Sequence, residues 1–129
     1  MKLILIDTNF FLIPYQHKID IFQEISRLID EKYSIVTLSS VLRELESIEE
    51  GSMGRDGIAA RIALRLIREK RIEVIDSDHA GDKSIIEFAK NNKNVIVCTN
   101  DKKLKKKLRQ LGVGIIDMRD KSHLGLSWQ

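Results

Sequence analysis

At 129 residues, with 43% apolar content and a net charge of +3, the chain has room for one domain and one core and is too apolar to be disordered. No apolar run nears the roughly 20 residues that span a bilayer, and the stretch Leu3 to Ile6 is too short for a signal-peptide core; a single cytoplasmic domain over residues 1–129, with 118–129 as its tail, is the expectation. One cysteine, Cys98, excludes an internal disulfide, and His17, His79 and His123 are too scattered to complete a zinc site with it.

Taken in order, the chain alternates two kinds of pattern. Leu3 to Ile6 reads as a strand ending at Asp7. Ile21, Phe22, Ile25, Leu28 and Ile29 share one face of a helix, with Asp20 and Gln23 as a capping pair. A second strand, Ile35 to Leu38, leads through the cap candidates Ser39 and Ser40 into a helix with the stripe Val41, Leu42, Leu45 and Ile48. The segment Gly51-Ser52-Met53-Gly54-Arg55-Asp56-Gly57 reads as a mobile loop. It follows no strand and so is not a phosphate-binding fingerprint. A helix with Ile58, Ala59, Ile62, Ala63, Leu66 and Ile67 on one side comes next, then a strand from Ile72 to Ile75 and a helix with Ile85, Ile86, Phe88 and Ala89 inward. Val95 to Cys98 reads as a strand that buries Cys98 as a core thiol. Leu104, Leu108 and Leu111 mark a helix closed by Gly112, and Gly114 to Ile116 is a fifth strand. Most of the strands are continuously apolar instead of alternating, as in a parallel sheet covered on both faces. The strand–helix alternation implies right-handed crossovers and an α/β class.

Ligands of open parallel sheets bind beyond the carboxyl ends of the strands. Asp7, Glu44, Asp76, Asp78, Asp82, Asp101 and Asp117 all fall at that edge. Aspartates also cap helices, which suits Asp7, Asp82 and Asp101 individually. Glu44 differs: at 100° per residue it lies between Val41 and Ile48 on the apolar stripe, where a lone carboxylate is costly. Arg43 or Arg61 would pair it, and a shared metal would serve several acids at once. Carboxylates converging in one cleft repel each other unless a cation meets them. An all-oxygen donor set favours Mg²⁺ or Mn²⁺ over zinc, and such an ion can activate water and stabilise charge on a phosphoryl group.

Four stretches, in this order and each after or near a strand, resemble the PIN domain nucleases over nearly the whole chain: Leu-Ile-Asp-Thr-Asn at 5–9, Val-Leu-Arg-Glu-Leu at 41–45, Gly-Asp-Lys-Ser-Ile at 81–85 and Thr-Asn-Asp-Lys-Lys-Leu at 99–104. The resemblance implies a three-layer α/β/α fold around a parallel sheet of about five strands in the order 3-2-1-4-5. It also implies Mg²⁺- or Mn²⁺-dependent hydrolysis of RNA phosphodiester bonds. It carries the family's acids onto Asp7, Glu44, Asp82 and Asp101 as metal ligands, with Thr99 in the catalytic set and Thr8 and Asn9 in support; Asp78 is the alternative to Asp82. Within the family the chain looks closest to archaeal members resembling both VapC ribonuclease toxins and ribosomal-RNA-processing nucleases. An antitoxin protein or a pre-ribosomal particle, and a second copy in a homodimer, are the partners this implies.

Residues 102–109 hold six Lys or Arg and no acid. Lys102, Lys105, Lys106 and Arg109 gather opposite the leucines, where they suit a phosphate backbone entering the site; a solvated helix face has the same look. Arg55 is a further candidate for RNA contact. Trp128 has three uses open to it: a base, a partner or its own domain. Two competing functions fit less well. A non-catalytic module gripping RNA or a ribosomal assembly partner has no need of four acids. A phosphoacceptor domain using Asp76 lacks its lysine after the fifth strand.

Overall fold

The computed structural model describes residues 1–128; Gln129, the end of the expected tail, lies outside the described residues. The chain runs β1 (Lys2–Ile6), α1 (Thr8–Phe11), α2 (Ile13–His17), α3 (Ile21–Leu28), β2 (Tyr33–Leu38), α4 (Ser39–Gly51), α5 (Arg55–Glu69), β3 (Glu73–Ile75), α6 (Gly81–Asn91), β4 (Val95–Cys98), α7 (Lys102–Gln110), β5 (Gly114–Met118) and β6 (Leu124–Ser127). The strands form one sheet in the order β3-β2-β1-β4-β5-β6. The first five are parallel, so right-handed crossovers put α1–α5 on one face and α6 and α7 on the other.

Central strands that touch helices on both sides must be apolar at every position. Ile4, Leu5 and Ile6 of β1 and Val95 to Cys98 of β4 are accordingly buried throughout. Phe10, Phe11, Ile21, Ile25, Leu45, Ala60, Ala63, Leu104 and Leu108 close over the sheet in the same core. Among the described residues no helix is long and apolar enough to cross a membrane.

The expected order 3-2-1-4-5 is present, but the sheet has six strands and is mixed. Residues of the tail turn back and add β6 antiparallel to β5, with Met118 opposite Leu124 and Ile115 opposite Ser127. Leu124 is held from outside: Glu24 of α3 accepts its N–H at 2.9 Å, and Arg27 donates to its carbonyl at 2.9 Å. The exposed edge of β6 is thus partly covered. Trp128 packs on its own domain. A Cβ on Gly114 would come within 2.6 Å of the indole ring, and Lys2 Nζ lies 5.2 Å from the ring centroid.

Two local expectations change, and one stretch without a sequence-based assignment gains structure. The loop between α4 and α5 shrinks to Ser52–Gly54, because Gly51 ends one helix and Arg55 opens the next. Two short helices, α1 and α2, occupy the stretch after Asp7, with Pro14 in the first turn of α2, where a missing N–H costs nothing. Ser39 and Ser40 do not cap α4; they lie within it, where the Ser39 hydroxyl accepts Ser77 N–H from the segment after β3 and the Ser40 hydroxyl meets Ser84 of α6.

Candidate active site

Asp7 leaves the carboxyl end of β1 and caps α1, its Oδ1 accepting Phe10 N–H at 2.9 Å. It is buried, 6% exposed. Glu44 stands on the second turn of α4, Asp82 on the first turn of α6, and Asp101 caps α7 through Leu104 N–H at 2.9 Å. These four carboxylates line one small cleft of about 60 Å³, together with Thr8, Asn9, Val41, Gly81 and Ile85. Among the described residues no side-chain nitrogen of Lys, Arg or His lies within 4.0 Å of a carboxylate oxygen of the four, although the chain has 22 Lys and Arg. The partners considered for Glu44 go elsewhere: Arg61 pairs with Glu49 at 3.8 Å, and Arg43 is exposed.

Burial raises the Asp7 carboxyl from 3.8 to about 6; the hydrogen bonds from Thr99 and Phe10 oppose the rise, and the charges of Asp101 and Asp82 add to it. Thr99, fully buried at the end of β4, joins two of the acids. Its hydroxyl accepts Asp101 N–H at 3.1 Å, and its proximity to Asp7 pulls that carboxyl down. Buried so deeply, Thr99 can act on Asp7 and Asp101 but cannot reach substrate. Thr8 is buried at the cleft wall and Asn9 is exposed at its mouth. Beneath Asp7, Cys98 is fully buried, and that burial, with the charge of Asp7 beside it, pushes the thiol up.

A donor set of unpaired carboxylates, one of them pushed toward protonation by burial and by two of the others, fits a hard divalent cation. No three His, Cys, Asp or Glu among the described residues are gathered closely enough to form a ready cage. The acids are separate groups whose spacing is set by the elements that carry them.

Asp78 lines a neighbouring cavity of about 220 Å³ with Asp76, His79 and Glu87, whereas Asp82 lines the cleft itself. Two larger cavities, of about 460 and 470 Å³, contain none of the four acids.

Along α7, Lys102, Lys103, Lys106 and Lys107 are exposed and Arg109 is half-buried. Lys105 departs from the expected basic face. Its Nζ lies 2.9 Å from Asp117 Oδ2, and Arg119 Nε lies 2.8 Å from the other oxygen of the same buried carboxylate. A helical wheel of α7 cannot register an acid arriving from β5. Arg55, the first residue of α5, is exposed and outside the cleft lining. Gly81 and Ser84 lie inside the stretch Gly-Asp-Lys-Ser-Ile, but the sequence alone assigns neither a role of its own. Gly81 takes a φ of +63° at the start of α6, which an alanine would resist. The dipeptide Gly-Asp before an apolar helical stripe was the available signal.

Strand order, crossovers and an acidic cleft at the carboxyl edge define a three-layer α/β fold of the PIN type. Residues 4–121 match the PIN like domain family, and the chain belongs to it. Ribonuclease VapC4 of Methanocaldococcus jannaschii is 36% identical over 119 residues, covering 91% of this chain and 90% of that protein. The rRNA-processing protein fcf1 of Schizosaccharomyces pombe is 33% identical over 119 residues; the match covers 89% of this chain but only 58% of fcf1. The solved structure of the PIN domain endonuclease Utp24 superposes with a TM-score of 0.81 at 30% identity, covering 98% of this chain and 92% of that one.

Proposed function

We propose that this chain is a Mg²⁺- or Mn²⁺-dependent ribonuclease, with Asp7, Glu44, Asp82 and Asp101 holding the ion. The observation that carries the reading is the set of four carboxylates facing one cleft with no cationic partner, on a chain related to nucleases. When bound, a hard divalent cation neutralises the acids and polarises the phosphodiester to be hydrolysed.

The chain's own residues supply the rest. Thr99 fastens the backbone of Asp101 through its hydroxyl and lies beside Asp7, lowering that carboxyl. Phe10 N–H and Leu104 N–H each fasten one oxygen of a different acid, leaving the other oxygen free. Val41 and Ile85 form an apolar wall that limits water around the acids. Lys102 and Lys106, exposed on the helix that begins beside Asp101, bind the backbone of RNA leading to the cleft; such contacts supply affinity and orientation but not sequence choice.

The test is cleavage of single-stranded RNA, a transfer RNA and a precursor ribosomal RNA with Mn²⁺ or Mg²⁺, with and without EDTA. Cleavage that needs the metal and is lost in Glu44→Gln supports the reading. RNA binding with no metal affinity and no products would make the chain a binding module instead. Selective cutting of the precursor would separate ribosome maturation from the toxin-like activity that the relative named VapC4 suggests.

A further inference from the structure

We propose that Ser40 and Ser84 are positioning residues that set the spacing between Glu44 and Asp82 through a buried relay of two hydroxyls. The inference rests on the metal-holding reading of those acids. Ser40 and Ser84 are 2% and 3% exposed, and their Oγ atoms lie 2.9 Å apart, bridging α4 and α6. Ser84 Oγ also donates to the carbonyl of Gly81 at 2.8 Å. A hydroxyl has one hydrogen, so Ser84 spends its own on Gly81 and must accept from Ser40. The relay therefore has one direction: Ser40 to Ser84 to Gly81.

Each end of this relay carries an acid. Ser40 precedes Glu44 by four residues, one turn along the same face of α4. Gly81, where the relay ends, immediately precedes Asp82. The first turn of α6 needs such a restraint. It starts from a left-handed glycine, and its N-cap, Ala80, has no side chain to bond the free N–H groups. A second pair of hydroxyls fastens the segment before α6 to α4. Ser39 Oγ accepts Ser77 N–H at 2.9 Å, and Ser77 Oγ accepts Ser40 N–H at 3.3 Å. Four serines thus fasten the approach to α6 against the start of α4, on the side where two acids meet. Alanine or valine would fill the same space; hydroxyls fix direction and distance as well. Glu44 and Asp82 line the same cleft, so the relay ties together the two helix starts that carry them.

The experiment compares the intact chain with Ser40→Ala, Ser84→Ala and the double variant, reading the Mn²⁺ dissociation constant by calorimetric titration and the melting temperature in EDTA. Supporting partners of metal ligands typically contribute 10- to 100-fold in metal affinity. Each single variant is expected to weaken Mn²⁺ about tenfold, and the double variant no more than either single, because breaking one link breaks the whole relay. A merely structural role would lower the melting temperature and leave the Mn²⁺ constant unchanged, and that result overturns the inference. If Ser84→Ala fails to fold because it orphans the Ser40 hydroxyl, Ser40→Ala, which leaves Ser84 bonded to Gly81, decides alone. Asp7→Asn serves as the reference for the metal site. An intact chain that binds no Mn²⁺ overturns the metal reading and this inference with it. Normal binding by Ser40→Ala, beside lost binding by Asp7→Asn, overturns only the inference.

Discussion

Asp7→Asn should make the metal-free protein more stable while it abolishes metal-dependent cleavage. Asp7 is 6% exposed, lies near Asp82 and Asp101, and has no cation beside it. Its carboxyl is raised from 3.8 to about 6, chiefly by burial; a rise of that size corresponds to ~3 kcal/mol of unfavourable charge in the folded state at neutral pH. Asparagine keeps an acceptor for Phe10 N–H but carries an amide that must find its own partner, so the net gain is about 1–2 kcal/mol. For a chain of 129 residues that is a rise in Tm of about 4–7 °C. The sign fixes the pH window. A raised carboxyl favours the folded state below 3.8, loses that advantage as pH rises through about 6, and is fully penalised above it. The difference in Tm between variant and parent, measured by calorimetry in EDTA, should therefore be slightly negative at pH 4, where mainly the amide's cost remains, and rise to its full positive value by pH 7. Adding Mn²⁺ should raise the Tm of the parent and not that of the variant. A variant that melts below the parent at pH 7.5 in EDTA would refute the idea of an uncompensated buried charge.

Other expectations follow from the same geometry. Thr99→Val keeps the shape but removes the hydroxyl that accepts Asp101 N–H beside Asp7; kcat/KM for RNA cleavage should fall at least about tenfold, and the orphaned Asp101 N–H should cost about 1–2 kcal/mol in chemical denaturation. Glu24 is held down at about 2 by Arg27 and by the N–H of Leu124. The stability it contributes is complete above about 4.5 and is lost as pH falls toward 2. Glu24→Gln should cost about 1 kcal/mol at pH 7, allowing for solvent screening, and should speed tryptic cleavage after Lys121 as β6 loosens. Lys102→Glu with Lys106→Glu should weaken RNA binding and reduce the salt dependence of log K by about 2, while leaving Mn²⁺ affinity near that of the parent. Arg55→Ala should leave Mn²⁺ affinity unchanged, since Arg55 lies outside the cleft lining.

The sequence by itself determined the parallel core and the acids. Strands such as Ile4 to Ile6 and Val95 to Cys98 are buried on both faces, so every position had to be apolar and the run could be read without a partner. Asp7 follows its strand directly and Asp101 comes three residues after its own, and the motif order set Glu44 and Asp82 at the same edge. Tertiary structure alone decided the rest, because each remaining feature joins residues far apart in the chain. Ser40 reads locally as a helix cap and becomes a bridge only when Ser84, 44 residues away, meets it. Lys105 belongs to a basic stripe until Asp117 arrives from β5 to neutralise it. Leu124 to Ser127 has no strand signature of its own; with Gly125 in its middle and Glu24 a hundred residues away to hold its edge, it becomes a strand through pairing with β5. Periodicity reports which side of an element is buried, and only packing reports what it is buried against.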